Sequence, residues 1–122
     1  MVDRTMRGLF PILSMPFDDL GRIDIEDLER EVDFCIDGGA HGLGIAIASE
    51  IYKLSESERD LAIQTGLAQS TGRAKAVIST SAQGTDLTIQ YSRRAQELGA
   101  DAIMITPPTI DGRYAEGRTG VL

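Results

Sequence analysis

The side chains in this chain that could do chemistry are mostly hydroxyls, and they follow short apolar runs. Ser14 and Met15 end one run, Ser49 and Glu50 the next, Thr80, Ser81 and Gln83 a third, and Thr106 and Pro107 a fourth. In parallel α/β proteins ligands bind at the carboxyl ends of strands. Such a rim of hydroxyls and backbone N–H groups can hold a carboxylate or a carbonyl oxygen without fixed positive charge. Ser and Thr are also common at strand-to-helix turns for local backbone reasons, and composition alone favours that plainer reading.

Several other chemistries lack their residues. No G-x-x-x-x-G-K-[ST] is present to cradle phosphates, and Gly42-Leu43-Gly44-Ile45-Ala46-Ile47 lacks the last glycine of a dinucleotide fingerprint. Those glycines read as strand-entry and close-packing residues. His41 and Cys35 are the only histidine and cysteine, and without a carboxylate cluster they cannot build a transition-metal site, so neither metal nor cofactor is expected. His41 falls in an αβ loop, on the side of an α/β sheet usually opposite the ligand.

Charge narrows the partners further. A net charge of -7 and a pI near 4.6 argue against nucleic acid, whose affinity rests on clustered Lys and Arg. Asp24, Glu26, Asp27, Glu29, Glu31 and Asp33 concentrate acidity at helical spacing, which reads as a solvated face. Cys35 sits in an apolar helical pattern and reads as core. The N-terminus has no apolar stretch of signal-peptide length, and no later run suits a membrane span, so the expected location is cytoplasmic.

The elements that must position this rim can be read from periodicity. Residues 8–14 form a short apolar run closed by a Pro- and Gly-containing loop over 15–21, which reads as strand one. Asp24 caps a helix with Ile25, Leu28, Val32, Cys35 and Ile36 on one stripe, stopped by Gly38-Gly39. Residues 42–48 lack polar alternation, as in a strand buried on both faces. Ser55 and Glu58 fit a capping box, opening a helix to about Thr71 with Leu61, Ala62, Thr65 and Ala68 inward. Residues 74–80 give a third strand. Thr85 caps a third helix carrying Leu87, Tyr91, Ala95 and Leu98, and residues 101–106 give a fourth strand cut by Pro107-Pro108.

The resulting order βαβαβαβ predicts a parallel sheet with right-handed crossovers. Gly39-Ala40-His41-Gly42 and Gly99-Ala100-Asp101-Ala102 repeat the same αβ joint. The domain is expected over 1–108, with 109–122 an irregular tail. At 122 residues the chain is well short of the roughly 250 residues of a complete (β/α)8 barrel.

Three blocks carry a specific resemblance. Pro11-Ile12-Leu13-Ser14-Met15-Pro16-Phe17-Asp18-Asp19-Leu20-Gly21 resembles the opening of the dihydrodipicolinate synthase and N-acetylneuraminate lyase family, with Met15 in place of a threonine. Ser49-Glu50-Ile51-Tyr52-Lys53-Leu54-Ser55-Glu56-Ser57-Glu58-Arg59 is similar to that family's Gly-Glu-x-x-x-Leu-Ser-x-x-Glu-Arg. Gly99-Ala100-Asp101-Ala102-Ile103-Met104-Ile105-Thr106-Pro107-Pro108 is similar to its fourth strand.

The resemblance implies the N-terminal part of a TIM barrel, about three βα units and strand four. In the complete family a strand-six lysine forms an imine with pyruvate or another 2-keto acid, and the protonated imine is an electron sink for aldol condensation or cleavage. Paired threonines before Gly-Glu hold the 2-keto carboxylate. Here Ile47 and Ala48 stand at those positions and Ser49 at the glycine, which makes Ala48, Ser49 and Glu50 the candidate substrate-binding residues and implies a substrate different from the synthase's.

Neither Lys53 nor Lys75 matches the strand-six lysine, so no catalytic residue is expected and the chain alone is expected to be inactive. Thr109-Ile110 replace a Tyr-Tyr pair, and Tyr114 to Val121 resembles a later Arg-Thr-Gly segment with closer spacing. The implied partners are a pyruvate-like 2-keto acid and either further copies of the chain or a complementary barrel half. The alternative is a small flavodoxin-like binding or signalling module, with Asp18-Asp19 as a superficial acidic pair. That module expects an Asp ending strand three, where Ser79-Thr80-Ser81 stands.

Overall fold

A computed structural model describes residues 6–108. In chain order it contains α1 (Ile25–Asp37), β1 (Gly42–Ile45), two single 3-10 turns (Ile47–Ser49 and Ile51–Lys53), α2 (Glu56–Ser70), β2 (Lys75–Ser79), α3 (Thr85–Leu98) and β3 (Ala102–Met104). The strands are parallel and consecutive, β1-β2-β3. The expected tail over 109–122 lies outside the described residues.

The run over 8–14 is not a regular strand. It joins the edge of β1 through one parallel bridge, Ile12 to Gly44, with Leu13 N–H donating to the Gly44 carbonyl and Gly44 N–H to the Pro11 carbonyl, both at 2.8 Å. Pro11 has no N–H to give, which breaks the ladder there. Adjacent order is nevertheless kept from this segment through β3, as in a barrel wall. A flavodoxin-like sheet would place the first strand inside.

Register assigns the two faces. Leu43 and Ile45 stand beside Ala76 and Ile78, and all four are buried in one cluster with Leu28 and Val32 of α1, Ala62, Ile63 and Leu67 of α2, and Ala95 of α3. The helices therefore cover one face. On the other face Gly42 and Gly44 alternate with these residues, and Phe10 and Ile12 lie over them. A Cβ on Gly42 would come within 2.1 Å of the Phe10 ring and 2.7 Å of the Lys75 carbonyl oxygen, and one on Gly44 within 2.5 Å of Ile12 Cδ1.

Capping follows the sequence in two helices and departs from it in the third. Asp24 accepts from Asp27 N–H at the start of α1. At α2 the Ser55 hydroxyl accepts from Glu58 N–H while the Glu58 carboxylate accepts from Ser55 N–H, a pairing whose serine contributes about 1 kcal/mol. Thr85, expected to cap α3, is its first helical residue. Gly84 occupies the cap without a side-chain bond, and the Thr88 hydroxyl donates back to the Gly84 carbonyl.

The buried stripe of α2 is also shifted. Leu61 and Ala68 point outward, whereas Ala62, Ile63, Gly66, Leu67 and Ser70 are buried. Gly66 brings the helix close to the sheet, with the Ile45 Cδ1 atom 3.0 Å from where a Cβ would stand. Ile63 and Leu67 share the contact face with the small residues Ala62, Gly66 and Ser70, so Leu61 does not belong to it.

Helix α1 is tied to the first segment by Glu31, whose carboxylate accepts from Ser14 N–H at 2.7 Å. Burial pushes this carboxyl's pKa up, and the Ser14 N–H opposes that only in part. A raised carboxyl pKa means that folding favours the protonated form, so Glu31 withdraws stability as pH rises through its folded-state titration. Glu31→Gln keeps an acceptor for Ser14 and removes the charge. It should raise the urea midpoint at neutral pH and leave it nearly unchanged at acid pH, and a uniform gain at both would refute the assignment.

The two strand glycines generate a second expectation. Gly42→Ala forces a methyl group against backbone and an aromatic ring, whereas Gly44→Ala meets the end of a flexible side chain. Gly42→Ala should cost about 1–3 kcal/mol, as overpacking does, and Gly44→Ala clearly less. Chemical denaturation of the pair tests the ranking.

Candidate functional site

A 3-10 turn, Ile47–Ser49, follows β1 directly. Ser49 is fully buried, its hydroxyl donating to the Leu13 carbonyl and accepting from Ala46 N–H. This one side chain therefore fastens the exit of β1 to the first segment. Ser49 N–H donates to the Ala46 carbonyl and Glu50 N–H to the Ile47 carbonyl, each at 2.9 Å, closing the 3-10 turn. Among the described residues the N–H groups of Ile47 and Ala48 meet no acceptor, as the first donors of a helical turn do not. Both residues are exposed.

Glu50 ends the turn at φ 57°, ψ 23°, the one non-glycine residue with positive φ among those described. Left-handed backbone of this kind costs a residue other than glycine about 1 kcal/mol or more. Its carboxylate pairs with Lys53 at 3.4 Å, and the Lys53 ammonium also lies 5.7 Å from the Tyr52 ring centroid. The pair reduces the repulsion that Glu50 would exert on an incoming anion.

The carboxyl end of β2 stands beside this turn. A cavity of about 280 Å³ is lined by Ile47, Tyr52, Arg59, Ser79, Ser81 and Tyr91, among others. Thr80, read from the sequence as part of the rim, is fully buried behind the sheet, where it accepts from the Ser92 hydroxyl of α3. Strand alternation explains this, since Thr80 shares the helix-covered face of Ile78. Ser79 and Ser81 take the other face, where Ser81 meets Thr106.

Arg59 was not marked as a site residue by its sequence position, although it closes the second family-like block. It is only 6% exposed. Its guanidinium donates to the Ser79 carbonyl and lies 4.1 Å from the Tyr91 ring centroid. Burial pulls its pKa down, while Tyr91, Asp60 and Glu56 oppose that shift. Tyr91 had read as part of an apolar stripe, and the cation over its ring is the signal that periodicity could not carry.

Neither lysine has the setting of an imine-forming amine. Lys53 is ion-paired and 55% exposed, and Lys75 pairs with Asp101 at 3.2 Å at the amino end of β2. A cavity of about 490 Å³ does lie at that amino end, lined by His41, Arg73, Lys75 and Asp101. Arg73 is itself paired with Asp33 and Asp37, and the amino ends of barrel strands serve stability rather than chemistry. No group of three or more His, Cys, Asp or Glu among the described residues could hold a metal ion. No helix there is long and apolar enough to cross a membrane.

Comparison with known proteins agrees with this geometry. Residues 5–114 match the model of the dihydrodipicolinate synthetase family. The chain is 40% identical over 103 residues to L-2-keto-3-deoxyarabonate dehydratase of Azospirillum brasilense, covering 84% of this chain and 33% of that protein. It is 32% identical over 108 residues to 4-hydroxy-tetrahydrodipicolinate synthase of Xanthomonas campestris pv. campestris, covering 87% and 36%. The chain thus spans about a third of the length of these curated relatives.

Solved structures give the same fold. Dihydrodipicolinate synthase of Aquifex aeolicus superimposes with a TM-score of 0.84 at 24% identity, over 92% of this chain and 38% of that one. YagE of E. coli K12, a prophage protein of the same family crystallised with pyruvate, gives 0.81 at 25% identity over 94% and 41%. The elements described here are a segment of a TIM barrel, and the chain belongs to the dihydrodipicolinate synthetase family.

Proposed function

We propose that this chain supplies the 2-keto acid carboxylate-binding wall of a Schiff-base lyase whose imine-forming lysine is not among these 122 residues. The observation that carries the reading is the turn after β1, where Ile47 and Ala48 are exposed residues whose N–H groups lack acceptors among the described residues. Two adjacent N–H donors can hold a carboxylate without a hydroxyl beside them. That offsets the loss of the two threonines. Ala48, Ser49 and Glu50 then divide the work: Ala48 donates, the buried Ser49 hydroxyl fixes the turn, and Glu50 holds the left-handed position that ends it.

The reaction class is aldol-type condensation or cleavage, or dehydration, beside an imine of pyruvate or a 2-keto acid. The 40%-identical relative named as a 2-keto-3-deoxyarabonate dehydratase and the apolar Ile47-Ala48 pair both favour a substrate other than that of the synthase. Ile89 is 42%, Ile103 42% and Ile105 55% exposed, along the α3 and β3 edge where the next βα unit of a barrel would pack. A second copy or a complementary barrel half covers this edge in the active assembly, and light scattering across a concentration series should therefore show association of the isolated chain.

The chemical test is borohydride trapping with pyruvate followed by intact mass. No stoichiometric adduct is expected on the 122-residue chain, because Lys53 and Lys75 are ion-paired and an imine requires a neutral amine. An adduct at either lysine would overturn the assignment. For binding, pyruvate should shift the amide resonances of Ile47 and Ala48, and an unchanged spectrum there would remove the proposed carboxylate site.

A further inference from the structure

We propose that Ser81, Thr106 and Ser79 form a receptor for a substrate hydroxyl group, which selects hydroxylated 2-keto acids over pyruvate. This rests on the carboxylate site proposed above. Ser81 Oγ lies at the centre of the cluster, accepting from Thr106 N–H at 2.8 Å and standing 3.1 Å from Thr106 Oγ1 and 3.4 Å from Ser79 Oγ. Ser81 and Thr106 are half-buried and Ser79 is buried.

The hydrogen-bond inventory decides what the cluster can bind. Three hydroxyls carry three protons and six lone pairs; the donors converge on Ser81 Oγ, whose two lone pairs take Thr106 N–H and one neighbouring hydroxyl at a time. That leaves two donors and four acceptor positions. A carboxylate only accepts, so it would satisfy the donors and leave the acceptors facing its own lone pairs. An alcohol both donates and accepts, and it fits this mixed remainder.

Position joins the cluster to the carboxylate turn. Ser79 and Ser81 line the same 280 Å³ cavity as Ile47, so a ligand anchored by its carboxylate after β1 can extend its hydroxylated end toward β2 and β3. Thr106 and Ser81 lie on adjacent strand ends, and their mutual bond fixes both side chains before a ligand arrives. Preorganised polar groups of this kind reject analogues that lack the matching hydroxyl, because binding would leave them unpaired.

The test is amide-resolved titration of the full 122-residue chain with pyruvate and, separately, with 2-keto-3-deoxyarabonate. Both ligands should shift Ile47 and Ala48, and only the hydroxylated acid should shift Ser81 and Thr106. Thr106→Val removes one hydroxyl while keeping the N–H and the shape. It should weaken 2-keto-3-deoxyarabonate about fivefold to tenfold, the effect of one hydrogen bond, and leave pyruvate unchanged. Ser81→Thr, which retains the hydroxyl, should preserve the preference.

Three results would overturn the inference in different ways. Shifts at Ile47 and Ala48 alone with both ligands would leave the carboxylate site standing and remove the hydroxyl receptor. Equal weakening of both ligands by Thr106→Val would show a purely structural role for the cluster. No shift with either ligand would remove both sites.

Discussion

The whole arrangement depends on the absence of a side chain at Gly42 and Gly44. Without Cβ atoms there, Phe10 and Ile12 can lie directly over β1, and the first segment comes close enough for Leu13 and Gly44 to share a backbone bond. The Leu13 carbonyl is then in place to accept from Ser49. Ser49 in turn shapes the exit of β1, where two backbone donors have no acceptor among the described residues. A packing constraint at the amino end of one strand is thereby transmitted to the geometry of its carboxyl end, where barrel chemistry takes place.

The order of elements was legible in the sequence because each boundary has a local chemical cause. The Ser55 and Glu58 side chains cap α2 through bonds within one turn, and Gly99 ends α3 at φ 100°. Both features depend on residues a few positions apart. The family resemblance was legible for a different reason: three blocks in fixed order are spread from residue 11 to residue 108. By contrast, the irregularity of the first segment depends on which N–H groups a distant strand needs, and no local pattern reports that.

The site was only partly legible. Ser49 was recognised as important, but its burial and its bond to Leu13, 36 positions away, are tertiary facts. Thr80 and Ser81 are neighbours in sequence and similar in chemistry, and strand alternation sends one behind the sheet and the other toward the cavity. A shift of one residue in the assumed register is enough to exchange their roles. Arg59 was hidden for the opposite reason, because a charged residue on an amphipathic helix normally faces solvent. Its partners are a backbone carbonyl and an aromatic ring from two other elements.

The consecutive order of the strands has a consequence for synthesis. Each strand pairs with the one made just before it, and β1, β2 and β3 never wait for a distant segment. A chain emerging from the ribosome can therefore add one strand and one covering helix at a time, closing loops of modest length at each step. The growing edge is always the newest strand. At every stage the nascent wall presents one fresh line of unpaired backbone groups on its newest strand, beside the outer edge of the first segment that stays open until a barrel closes.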